Sequence, residues 1–302
     1  MADRLTGIEV FVKAIRLGSL SAAARAMGMS SSMAVRHLET LEARLATTLV
    51  RRTTRRLSLT EAGTVFLDRA ERLLSELGEA EAEASAGAAA AAGLLRVAAP
   101  TVFATMHLAP LLPEFATRYP AIRIELGLND RMVDLMEDRW DMAIRIGHLE
   151  DSSLVARRLA GLRLVLCAAP AYLARKGVPA RVSDLSGHDC LGYTLSSRTS
   201  PTSWCFGSDG AMAISVHGSL AADNGHVLMT SALGGQGIYY GPRFIVAQAL
   251  CDGLLEELHL DAPLADMGAL YAVTHPTRRP AAKMRAWIDF LSQEIGVRST
   301  AW

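Results

Sequence analysis

The chain has 302 residues, of which 50% are hydrophobic and 21% charged, and its formal net charge is zero. That length exceeds one typical core and predicts two or three domains in a globular protein. No run of about 18 apolar residues occurs, so a membrane-spanning helix is excluded, and a zero net charge taken alone argues against a nucleic-acid partner.

The average hides an asymmetry. Residues 1–60 carry ten basic side chains against four acidic ones, while the remainder holds 21 basic and 27 acidic. A basic N-terminal module on an acidic remainder is the layout expected where one end meets phosphates. Met1-Ala2-Asp3-Arg4 leads straight into an amphipathic pattern, so no secretory signal is expected. The four cysteines, Cys167, Cys190, Cys205 and Cys251, form no CxxC pair. A reducing, cytoplasmic setting without a structural zinc site or other cofactor follows.

Along residues 1–59, Ile8, Val10, Phe11, Ala14 and Ile15 predict a helix ending at Leu17-Gly18. Ser19 or Ser21 can cap the next helix, Ala22–Met27, by accepting from a first-turn amide. Gly28 suits a left-handed closure, and Ser30 caps a third helix to about Leu45. Ala34, Leu38, Leu41 and Leu45 fall on one face of it. Ser31, Ser32, Val35, Arg36, Glu39 and Thr40 lie on the other. Two helices joined by a Gly-containing turn are a helix-turn-helix, whose second helix fits the major groove. The following Leu49 to Thr60 segment reads as a two-stranded wing around a basic turn. Its Arg51, Arg52, Arg55 and Arg56 suit phosphates and a narrow minor groove.

Thr60 can cap a long helix over 60–92, whose Phe66, Ala70, Leu73, Leu77, Ala80 and Ala84 repeat at coiled-coil spacing. A helix of about 30 residues spans roughly 45 Å and needs a partner for that seam, most simply the same helix of a second subunit. From Leu94 on, short β-type runs alternate with amphipathic helices, which predicts α/β architecture with parallel sheets.

The run Phe11…Gly18-Ser19-Leu20-Ser21-Ala22-Ala23-Ala24-Arg25, then Gly28-Met29-Ser30, Leu41-Glu42-Ala43-Arg44-Leu45 and Arg52-Thr53-Thr54-Arg55-Arg56-Leu57-Ser58-Leu59-Thr60-Glu61-Ala62-Gly63, closely resembles the LysR-type transcriptional regulators. The resemblance implies a winged helix-turn-helix (1–59), a dimerising linker helix (60–92) and a two-lobed α/β effector domain (93–302) related in fold to type 2 periplasmic binding proteins. Lobe I would comprise 93–162 and 267–302, and lobe II 163–266. Strands are expected at Leu95–Pro100, Ile122–Leu128, Asp141–Gly147 and Ala269–Thr274. Helices are expected at Leu108–Tyr119, Arg131–Arg139 and Lys283–Ile295.

The DNA-contacting positions implied are Ser21, Ser30, Ser31, Ser32, Val35, Arg36, Glu39, Thr40, Arg52, Thr53, Thr54, Arg55 and Arg56. Val35 stands where the family commonly has Ser, and can only pack on a thymine methyl. Ala46 replaces a usual Gly, a mild change if the backbone there is not left-handed. The effector cleft maps onto Thr101, Val102, Asp130, Ile146, Gly147, Thr194, Asn224, Gly237, Tyr240 and Pro242. Free amides and the Thr101 hydroxyl after the first strand suit a carboxylate. Partners implied are double-stranded DNA, a small-molecule effector, a second copy in dimers or tetramers, and RNA polymerase.

Other motifs carry less. Gly235-Gln236-Gly237 lacks the third glycine of a dinucleotide fingerprint, His188-Asp189-Cys190 alternates faces along a strand, and His217 and His226 show no metal spacing. A solute-binding protein or a cleft enzyme on the same C-terminal fold is the alternative reading. The basic N-terminal module and the absence of any nucleophile-base pair or cofactor loop speak against it.

Overall fold

The computed structural model describes residues 4–52, 57–85, 91–131, 135, 140–149, 153–196, 198–276 and 280–299. The chain forms two compact units, Met1–Ala90 and Ala91–Trp302.

In the first unit, α1 (Arg4–Arg16), α2 (Leu20–Ala26) and α3 (Ser31–Leu45) are followed by strands β1 (Val50–Arg52) and β2 (Leu57–Leu59) and by α4 (Glu61–Ser85). Ser19, not Ser21, caps α2, accepting from the Ala22 amide, and Ser30 caps α3 through the Met33 amide. Gly28, at φ +65°, turns the chain between them. Val10, Phe11, Ala14, Ala23, Ala34, Leu38 and Leu41 bury the shared core. Leu45, expected on that inward face, instead borders an open apolar groove with Leu49, Val65 and Phe66.

Ala46 closes α3 in the left-handed region, at φ 51° and ψ 31°. The substitution for glycine is therefore strained, because a Cβ crowds the carbonyl in that geometry. Thr60 Oγ1 accepts from the Gly63 amide at 2.9 Å and fixes the start of α4. Gly63 is required there, since a Cβ would stand 2.0 Å from the Leu49 carbonyl oxygen.

The expected seam on α4 divides. Ala70 is buried in this unit's own core, and Phe66 packs beside it, 5.6 Å from the Phe11 ring. Leu73 stays 47% exposed. Helix α4 runs to Ser85; of its expected extension to 92, residues 86–90 lie outside the described residues, and Ala91 and Ala92 are not helical but lead into the strand that begins at Gly93.

The second unit has two lobes, each on its own mixed five-stranded sheet rather than a purely parallel one. In lobe I, β3 (Gly93–Ala99), β4 (Ile122–Leu128), β5 (Met142–Gly147), β6 (Val155–Gly161) and β14 (Ala269–Thr274) run in the order β4-β3-β5-β14-β6. Strand β3 pairs parallel with β4 and β5, and β14 pairs antiparallel with β5 and β6. In lobe II, β7 (Leu164–Ala168), β8 (Cys190–Tyr193), β11 (Ala221–Ala222), β12 (Ile238–Pro242) and β13 (Glu256–Glu257) run β11-β8-β12-β7-β13. A hairpin of β9 (Ser203–Phe206) and β10 (Met212–Ser215) covers one side of it.

The first helix of lobe I begins earlier than the expected Leu108. An α turn, α5 (Thr101–Phe103), passes through a π segment (Ala104–Leu108) and a 3-10 turn (Ala109–Leu111) into α6 (Leu112–Arg118). The π segment begins ahead of Pro110, whose ring cannot continue an ordinary α ladder. Lobe II carries α7 (Pro170–Lys176), α8 (Gly225–Leu233) and α9 (Arg243–Cys251), and α10 (Ala282–Arg298) closes lobe I through Trp287 and Leu291. Most of the helix expected at Arg131–Arg139 lies outside the described residues.

Candidate nucleic-acid interface and effector cleft

The outer face of α3 is built by its cap and its core contacts together. Ala34, Leu38 and Leu41 point inward and are at most 2% exposed. With the period of a helix, this turns Ser31, Ser32, Arg36, Glu39 and Thr40 to solvent, with Ser30 exposed at the cap. Ser30 and Ser32 hydroxyls lie 3.0 Å apart, and Thr40 Oγ1 donates to the Arg36 carbonyl. Ser21 is exposed on α2. Val35 differs from its neighbours: it is half-buried and packs against the core, so most of its methyl surface is already spent.

The wing strands pair Val50 with Leu59 and Arg52 with Leu57. Glu42 fixes their root, its carboxylate accepting from the Leu49 and Val50 amides at 2.7 and 3.1 Å. Arg52 lies on β1, while Thr53, Thr54, Arg55 and Arg56 lie outside the described residues.

In the second unit the expected cleft residues separate into two groups. Thr101, Asp130 and Asn224 come together. The Thr101 amide donates to Asp130 Oδ1 at 2.7 Å, and Asn224 Nδ2 donates to Asp130 Oδ2 at 3.4 Å. Asp130 follows β4 in lobe I and Asn224 caps α8 in lobe II, so this contact joins the lobes. Thr194 lies close by in chain terms, its amide bonded to the Ala222 carbonyl. Ile146 and Gly147 end β5 half-buried, with Gly147 at φ +123°.

The others are interior. Tyr240 is 1% exposed, its ring stacked on Phe206 at 5.2 Å. Its hydroxyl donates to the Cys205 carbonyl and accepts from the Ala265 amide. Gly237 is buried, and a Cβ there would lie 2.4 Å from the Asp189 carbonyl oxygen, so its role is close backbone approach. Val102 belongs to the core, and the Pro242 carbonyl accepts from Tyr239 Oη.

Sequence reasoning passed over two features here. Tyr193, next to Thr194, is half-buried; burial pushes its hydroxyl pKa up to about 12, and the charges of Asp130 and Asp223 add to the push. Phe244 of lobe II packs its ring edge-on against Phe103 and His107 of lobe I, and its carbonyl lies 3.2 Å from His107 Nε2. Nothing in the sequence spacing links Phe103 and Phe244, which stand 141 positions apart.

Cys190 is fully buried behind Leu185, and burial pushes its thiol up to about 12, the environment of an inert structural cysteine. Among the described residues no group of His, Cys, Asp or Glu is arranged to hold a metal, and no helix is long and apolar enough to cross a membrane.

A winged helix-turn-helix in one unit and a two-lobed α/β domain in the other define a ligand-responsive DNA-binding regulator. The chain belongs to the LysR family. The family's bacterial regulatory helix-turn-helix model matches residues 5–64, and its LysR substrate binding domain model matches residues 88–296. It is 35% identical to the HTH-type transcriptional regulator CrgA of Neisseria meningitidis serogroup C over 96% of each chain. With PtxR of Pseudomonas aeruginosa it shares 32%, over 97% of this chain and 93% of that one. The solved CrgA structure from Neisseria meningitidis superposes with a TM-score of 0.62 at 34% identity, covering 96% of this chain and 98% of that one. The full-length Vibrio cholerae virulence activator AphB gives 0.54 at 26%, over 95% and 98%. The protein is thus a DNA-binding transcriptional regulator with an effector-binding regulatory domain, not an enzyme.

Proposed function

We propose that the protein acts in the cytoplasm as a paired regulator, two copies of α3 reading two half-sites while a small molecule between the lobes biases how the pair engages DNA. The observation that carries the reading is the sided α3: one face is closed into the core and the other offers Ser31, Ser32, Arg36, Glu39 and Thr40. Hydroxyls and arginine suit phosphate and base-edge contacts. Arg52, Thr53, Thr54, Arg55 and Arg56 of the wing supply further phosphate and minor-groove contacts in this reading, with Ser21 and Ser30 at the backbone. Ser31, Ser32 and Arg36 position and read, and Val35 contributes little because its surface faces inward.

Pairing through the 60–92 helix is supported by the apolar side chains that it leaves outward, Val65 at 65% and Leu73 at 47% exposure. Val65 extends an open apolar groove lined by Leu45, Leu49 and Phe66, and contiguous exposed apolar surface suits association. Dimers, or tetramers built from them, follow, with RNA polymerase a further partner at the promoter. The three-part division at 59/60 and 92/93 belongs to the same reading.

A gel-shift titration with the DNA upstream of the protein's own gene tests it. Binding stronger than to random duplex, lost together with dimers in a Val65→Asp, Leu73→Asp variant, is the expected outcome. A monomer that binds with unchanged affinity overturns it. The Thr101 amide, expected to suit an effector carboxylate, is occupied by Asp130, which alters the effector chemistry this cleft favours.

A further inference from the structure

We propose that Asp130 is a built-in carboxylate that fills the cleft's own carboxylate seat and so determines specificity: it closes the cleft to carboxylate effectors and favours ligands that donate a hydrogen bond to it. The inference rests on the reading that the effector lies between the lobes and narrows what that effector can be.

Thr101 contributes the backbone amide at the mouth of β3, and Asp130 Oδ1 takes it at 2.7 Å, the short distance of a charge-assisted bond. Asp130 Oδ2 takes a second donor from the other lobe, Asn224 Nδ2 at 3.4 Å. The orientation of that amide group is not arbitrary. Asn224 Oδ1 is committed to capping α8, accepting from His226 N at 3.0 Å and Val227 N at 3.4 Å, so the NH2 group must face Asp130.

An arriving carboxylate therefore meets an amide already satisfied and a carboxylate of like charge. The charges that reach the neighbouring Tyr193 hydroxyl are both negative, those of Asp130 and Asp223. Displacing Asp130 would put an uncompensated carboxylate beside the ligand, which like-charge repulsion opposes. A ligand hydroxyl, amide or amine meets the opposite situation. The 3.4 Å bond to Asn224 is the longer of the two that Asp130 makes, and a ligand donor can replace it while the Thr101 bond stays. Such an exchange also releases this one polar contact between the lobes, giving the ligand the differential affinity for two lobe arrangements that regulation needs.

The test uses acetate, the piece of side chain that Asp130→Gly removes. Melting temperatures of wild type, D130G and T101P/D130G are compared in sodium acetate and sodium chloride at equal ionic strength near pH 7.5. Proline is tolerated at the first helical position, so T101P removes both groups that Thr101 offers the seat, amide and hydroxyl, while the backbone is kept. If acetate binds the emptied seat with a Kd on the order of 10 mM, about 100 mM should raise the D130G melting temperature by roughly 3 °C over chloride. Wild type should show no difference between the salts, and T101P/D130G should lose the response.

Equal acetate responses in wild type and D130G overturn the proposal, as does no response in a folded D130G. Should D130G not fold, wild type alone decides. Saturable stabilisation by acetate, benzoate or succinate that T101P abolishes refutes it, and indifference to all three supports it. The wider reading fails separately: a rescued D130G in a protein whose DNA binding no cleft ligand alters would leave the seat standing and remove its regulatory role.

Discussion

Glu42, on α3, accepts from the backbone amide of Leu49 at 2.7 Å, and from that of Val50 at 3.1 Å. One carboxylate thereby ties the DNA-facing helix to the root of the wing, and two amides at the start of β1 gain an acceptor. Deleting it leaves both donors in a part-buried site, at a cost of about 1–3 kcal/mol. Glu42→Ala should lower the melting transition of the N-terminal unit accordingly, while Glu42→Gln, which keeps an acceptor oxygen, should lose about half as much. Equal losses in the two variants would mean that the carboxylate's charge is indispensable, and no loss in either would mean that the bond to the wing contributes nothing.

Ala46 offers the reverse experiment. It is the one non-glycine residue with positive φ among the described residues, at 51°. A left-handed alanine costs about 1–2 kcal/mol, and glycine gives back part of this through its freer unfolded chain. Ala46→Gly should therefore stabilise the unit by about 0.5–1 kcal/mol, read as a higher denaturation midpoint at unchanged slope. A neutral or destabilising result would show that the left-handed geometry is relieved by its surroundings.

How far the molecule could be read from its residues differs by element, and the reason is visible in which faces are buried. Helix α3 has one buried face, so Ser30 as its cap and Ala34, Leu38 and Leu41 as its inner side were legible. Leu45 belongs to the same periodic series but sits where the helix leaves the core, and period alone cannot locate that edge. In lobe II both faces of β12 are covered, so its apolar run has no alternation to read. Nothing in the sequence therefore distinguishes Tyr239, packed toward α8 and α9, from Tyr240, packed under the β9–β10 hairpin. The resemblance chose Tyr240 for the cleft, and its closed hydrogen bonds place it in the interior instead. The cleft trio fared differently: Thr101, Asp130 and Asn224 were each named, but that Asp130 would fill the amide meant for a ligand depends on a contact between positions 29 apart.

Arg36 separates electrostatic from base-specific binding. It is exposed on the outer face of α3, six residues on from the Ser30 cap. As a phosphate contact, its removal in Arg36→Ala should weaken binding similarly on operator and random duplex. It should also reduce the slope of log K against log salt by about one unit per arginine. A variant that loses operator affinity alone, with the salt slope intact, would instead make Arg36 a reader of a base edge. An unchanged affinity on both would remove it from the interface.

His188 gives the second unit a pH dependence whose sign can be worked out. Its Nδ1 lies 3.1 Å from the Tyr172 hydroxyl, and that hydroxyl accepts from the Asp189 amide at 2.9 Å. The Tyr172 oxygen can accept a second bond or donate one, so it serves either tautomer of the neutral ring, and it is burial that disfavours the charged ring. Burial lowers the His188 pKa below 6.5, the charge of Lys176 lowers it further, and Asp184 opposes both. Well above pH 6.5 the ring is neutral in the folded and unfolded chains alike, and its contribution is intact. As the pH falls below 6.5 the unfolded chain takes up the proton first, so stability drops until the folded ring also protonates. His188→Asn keeps an acceptor near the Nδ1 position but cannot titrate. The fall in melting temperature between pH 7.5 and 5.5 should therefore be smaller in the variant than in wild type. Identical falls in the two proteins would show that the ring titrates alike in folded and unfolded chains, and would assign the acid sensitivity of this unit to its other groups.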